Sequence, residues 1–136
     1  MFDLAEEIGG SRRPVLNYSA LAYREVYDLD EARARNDETL ELSAGMDFGM
    51  PRQFAWSDLI WTDLLAGDFG AAQAVWPERW AAAERATGWT RWLIAGRHLA
   101  ARAEIALEAE TPEEAAEWAQ RAVDVARRTR RFKYEA

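Results

Sequence analysis

The chain has 136 residues, 49% of them hydrophobic and 30% charged, with a formal net charge of −7 and no cysteine. The length suits one domain with a real core, and the composition is that of a folded rather than a disordered chain. Disulfides, thiolate zinc sites and cysteine nucleophiles are excluded, and an acidic surface repels phosphate backbones, so no direct nucleic-acid partner is expected.

Residues 3–8 read as the last turns of a helix closed by Gly9-Gly10, since glycine accepts the left-handed conformation that ends helices. This acidic start lacks the apolar run of a signal peptide or anchor. No later stretch approaches the roughly 18 apolar residues of a membrane span. The expectation is a cytoplasmic protein with no membrane partner.

A helix is predicted over 12–27, with Pro14 in its first turn and Leu16, Ala20, Tyr23 and Tyr27 on one stripe. A second follows over 30–43, with Ala32, Leu40 and Ser43 inward and Asn36 interrupting the stripe. Residues 45–51, containing Gly45, Gly49 and Pro51, read as a loop. The spacing of Trp56, Ile60 and Leu64 predicts a helix over 52–66, closed by Gly67-Asp68.

Phe69, Ala72, Trp76, Trp80 and Ala83 then trace a helix ending near Thr87-Gly88. Pro77 removes the bond to the Gln73 carbonyl, so a kink or break is expected at Trp76. Trp92, Ala95, Leu99, Ala103 and Ala106 give the clearest periodicity, a helix over 90–108, despite Gly96 inside it. After Thr111 as N-cap and Pro112 at the first helical position, Ala115, Trp118, Ala119, Ala122, Val123 and Ala126 form a seam of mostly small residues.

One turn recurs. It reads Tyr27-Asp28-Leu29-Asp30-Glu31-Ala32, Gly67-Asp68-Phe69-Gly70-Ala71-Ala72 and Glu110-Thr111-Pro112-Glu113-Glu114-Ala115, with the alanines at 32, 72 and 115 spaced 40 and 43 residues apart. Such a period in a helical chain points to stacked hairpins, about 12–45, 51–88 and 89–131, each burying its apolar face against a neighbour. The chain opens on what reads as a repeat's tail and stops at Phe132-Lys133-Tyr134-Glu135-Ala136, the start of another helix. Neither end reads as a polar cap, so an excerpt of a longer protein is expected, with possible self-association through exposed ends.

These turns resemble those of tetratricopeptide-repeat proteins. The period exceeds that family's usual ~34 residues, and is similar to the longer repeats of large bacterial ATP-dependent transcription activators and multidomain nucleotide cyclases. Asn36 and Asp63 depart from the pattern, standing where an apolar residue is usual, and Pro77 is out of place. The resemblance implies an all-α, right-handed superhelix of about three hairpins acting as a protein-interaction scaffold in a bacterial regulatory or signalling protein. The first helix of each hairpin would line a concave face, making Asn17, Arg24, Ser57, Trp61, Arg97 and Glu104 candidates for holding a peptide or partner domain.

Seven tryptophans concentrate in the second and third repeats. Most read as fillers of helix seams, but they also permit a second function, a small-molecule effector domain with a Trp-lined pocket. Catalysis is not expected. Glu104 and Glu108 share a helix with Arg97 and Arg102 and read as a solvated face. His98 is the only histidine, and the paired Glu-x-x-His motifs of di-iron bundles are missing. Gly9-Gly10-Ser11-Arg12-Arg13 lacks the spacing and lysine of a phosphate loop. Arg127, Arg128, Arg130, Arg131 and Lys133 read as cations favoured at a helix C-terminus. No metal or cofactor is expected.

Overall fold

The computed structural model describes residues 12–45, 50–86 and 91–129, and these residues form helices and turns with no strand. The fold is all-α. Six helices follow one another: α1 Arg12–Glu25, α2 Leu29–Leu42, α3 Met50–Leu65, α4 Phe69–Arg85, α5 Arg91–Glu108 and α6 Pro112–Arg128. The predicted helix tail at 3–8 and the terminal segment 132–136 lie outside the described residues. None of these helices is long and apolar enough to cross a membrane.

The repeated turns share one backbone device. Tyr27, Gly67 and Glu110 each take positive φ, at 61°, 77° and 57°. After Tyr27 and Glu110 the next amide reaches back five residues, Asp28 to the Tyr23 carbonyl (2.9 Å) and Thr111 to that of Ala106 (3.0 Å). This left-handed residue ends one helix, and the residue after it opens the next. Asp28 and Asp68 cap α2 and α4, accepting from the Glu31 and Ala71 amides. Thr111 stands at the N-cap of α6 without capping it. Its hydroxyl donates instead to the Ala106 carbonyl at 2.9 Å, so Pro112 and the acidic first turn open that helix.

Two sequence expectations change. Tyr27, expected on the apolar stripe of the first helix, is exposed in the turn after α1. Pro77 does not break its helix, because α4 runs continuously through it. Both Pro77 and Gln73 are exposed, so the backbone bond that Pro77 removes lies on the solvent side of the helix.

The chain divides into two compact units, Met1–Ala66 and Gly67–Ala136. In the first, α2 runs antiparallel to both neighbours, and α1 and α3 run parallel. Arg12 pairs with Glu38 and Arg35 lies over the Tyr23 ring across α1 and α2. Asn17 Nδ2 donates to the Pro51 carbonyl (3.3 Å) and Arg24 to Asp58 across α1 and α3. Each of these last two pairs is 34 residues apart, not the 40 that separates the turns. The difference is an overhang, since α3 continues about six residues past the level of α1's end. Leu16, Ala20, Ala32, Ala55, Leu59 and Ile60 are buried in this unit. Burying a side chain the size of Leu16 contributes about 2 kcal/mol.

In the second unit the antiparallel α5 and α6 pack closely, joined by the Arg102–Glu114 ion pair. Their small residues, Ala101, Ala106, Ala115 and Ala126, are buried. The α-carbons of α4 and α6 nowhere come within 8 Å among the described residues. Tryptophan side chains span that gap.

A tryptophan-walled cleft with an arginine rim

The aromatic cluster of the second unit grows from α4. Trp76 is buried, and its indole N–H donates to the His98 carbonyl on α5 at 2.8 Å. Trp80, one turn on, stacks against Trp76 with centroids 5.6 Å apart and planes 8° from parallel. Trp118 of α6 meets Trp76 edge-on at 5.4 Å and donates to Glu114. Arg121, three residues further, lays its guanidinium 4.1 Å from the Trp118 ring centroid and 6.0 Å from that of Trp80. Spacings of three and four put Trp76 with Trp80, and Trp118 with Arg121, on single helix faces.

Beside this stack lies a cleft of about 390 Å³, formed by the C-terminal halves of α4 and α6 and the N-terminal half of α5. Ala83, Leu99 and Val125 give it an apolar base, and Trp80 and Trp92 are among its walls. Glu84, Arg91, Arg121, Asp124 and Arg128 complete the lining with charge, and all five are exposed. Asp124 accepts a hydrogen bond from Gln120 at 2.9 Å. Arg91 and Arg128 have no ion-pair partner among the described residues.

His98 sits behind this stack and is 1% exposed. Its Nδ1 donates to the Ile94 carbonyl at 2.9 Å, and its Nε2 has no partner among the described residues. Burial pushes its pKa down to about 4, and Arg79 and Arg97 push the same way against the opposing Ile94 bond. The ring is therefore neutral at pH 7 and packs 6.5 Å from Trp80, centroid to centroid. It does not line the cleft. No group of three histidine or acidic side chains among the described residues could hold a metal ion.

The six concave-face candidates scatter in character. Arg24 is buried at 9% exposure, where it pairs with Asp58 and reaches Glu25. Ser57 is 1% exposed, and its hydroxyl has no partner among the described residues. Asn17, Trp61 and Arg97 are half-buried, Asn17 being held to Pro51, and Glu104 is exposed. Asn17 and Arg24, seven residues apart on α1, both turn to α3.

Asn36 and Asp63, polar at positions expected to be apolar, are buried with partners: Asn36 donates to Asp58 and Asp63 pairs with Arg33. They form the polar seam of the first unit. Arg91, at the start of α5, carries no signal from sequence periodicity alone. The spacing of Trp118, Arg121, Val125 and Arg128 at steps of three and four is the sign that could have found the α6 side of the cleft.

No family model, curated protein or solved structure matches this chain.

Proposed function

We propose that this chain is a binding module with no chemistry of its own, and that the α4–α6 cleft holds its ligand. The cleft carries this reading: an apolar base, two indole walls and a few convergent charged groups are the usual make-up of a ligand site. Its volume of about 390 Å³ lies at the small end of the range for such sites, which favours a small effector over an extended peptide. The titration that tests it follows tryptophan fluorescence across a panel of small metabolites. A saturable shift with one of them, lost in Trp80→Leu, supports an effector domain. Silence across the panel counts against it.

The scaffold reading draws on a different observation. Parallel helices in register 34 residues apart, with a recurrent turn, are what stacked tetratricopeptide-like hairpins require. In that reading the chain holds a partner protein or peptide for a larger bacterial regulatory protein in the cytoplasm. Selection of a displayed peptide library against the chain tests it. Enriched peptides that bind more weakly to Trp61→Ala support the scaffold, and a selection yielding none counts against it.

A further inference from the structure

We infer that the α4–α6 cleft takes a small planar anion, an aromatic body carrying a carboxylate or a comparable acidic group. The inference rests on reading the cleft as a ligand site and names the chemistry of that ligand. Elsewhere in this acidic chain five arginines pair with carboxylates: Arg12 with Glu38, Arg24 with Asp58, Arg33 with Asp63, Arg35 with Glu31 and Arg102 with Glu114. The cleft differs from these. Arg91, Arg121 and Arg128 converge there from two helices, and none of the three has an ion pair among the described residues.

Arg121 is the most prepared of them. Its guanidinium is held by the Trp118 ring, with Trp80 on a further side, so little side-chain entropy remains to be lost on binding. A guanidinium held in this way offers N–H groups in a fork that matches a carboxylate. The two rim carboxylates, Glu84 and Asp124, leave the arginines in excess, and Asp124 is already engaged by Gln120. Trp80 and Trp92 line the same cleft and give it aromatic surface against which a ring can pack. A neutral apolar ligand would leave the arginines unused. A purely polar anion would leave the indoles unused.

The test uses two fluorescent probes of nearly the same shape, 8-anilinonaphthalene-1-sulfonate and its neutral counterpart N-phenyl-1-naphthylamine, each titrated against the full chain. The variants are Arg121→Gln, Arg128→Gln and, as a control on the adjacent residue that does not line the cleft, Arg127→Gln. Helical circular dichroism checks that each is folded. The expected result is saturable 1:1 binding of the sulfonate, weakened about tenfold, or 1.4 kcal/mol, by each of the first two changes and not by the third. The neutral probe should bind all four proteins alike. Equal loss with Arg127→Gln, or sulfonate binding indifferent to all three changes, overturns the anion assignment while the cleft itself stands. Failure of both probes to bind overturns the cleft as a ligand site and the assignment with it.

Discussion

Arg24 of α1 and Asp58 of α3 form a buried ion pair, with side chains 10% and 6% exposed. Asn36 of α2 donates to the second oxygen of the same carboxylate at 2.9 Å, so one aspartate ties together α1, α2 and α3. Desolvating two charges offsets most of their attraction, so the intact pair adds little net stability while either charge left alone is costly.

Removing one partner exposes that balance. Asp58→Ala leaves the Arg24 guanidinium buried without its main counter-charge, and unfolding by urea should show a loss of about 3–5 kcal/mol. The double variant Arg24→Met with Asp58→Leu should lose far less than the sum of the single changes. Additive losses would mean the two side chains do not act as a pair.

His98 makes stability depend on pH in a defined window. Its folded pKa, lowered to about 4, lies below the unfolded value of 6.5, so the unfolded chain binds more protons between those limits. Stability is therefore full above pH 6.5 and falls as pH drops through 6.5 towards 4, by on the order of 3 kcal/mol. Carboxylates titrate in part of the same range, so the measurement is the difference in slope between this chain and His98→Gln, which should lack the histidine's share. An imidazole NMR titration with a midpoint near 6.5 would remove the basis for this prediction.

Two glycine exchanges should both stabilise, for opposite reasons. Gly96 lies inside α5 with nothing within 4 Å of where a Cβ would stand, so Gly96→Ala should add about 0.5–1 kcal/mol of helix propensity. Glu110 holds a left-handed backbone at φ 57° and is exposed, so Glu110→Gly should relieve strain worth about 0.5–1 kcal/mol net of glycine's own entropy. Thermal melts decide both, and a fall in Tm for Glu110→Gly would mean that its side chain contributes more than its backbone strain costs.

The two aspartate caps offer a comparison with Thr111. Asp68→Ala removes the side-chain bond to the Ala71 amide and should cost about 1 kcal/mol. In Thr111→Ala the cap is unaffected, since the hydroxyl serves the Ala106 carbonyl of the preceding helix. Its effect should therefore appear as faster amide exchange at the end of α5 and not at the start of α6.

What the sequence by itself determined was local. Helix positions follow from a 3.6-residue periodicity that each segment carries within itself, and the repeated turn marks where one helix ends and the next begins, as at Tyr27-Asp28. The same locality explains the failures. Asn36 and Asp63 read as flaws in an apolar stripe, because their partners stand 22 and 30 residues away on other helices. Arg24 and Ser57 read as open-face residues, because periodicity tells which residues share a face and not what covers that face.

Only the tertiary structure decided that α1 and α3 meet 34 residues apart, or that Trp80, Trp92 and Arg128 border one cleft. Burial, ion pairing and cavity shape arise between elements far apart in the chain. Helix propensity and capping arise within a few residues, and that difference in range divides what was legible from what was not.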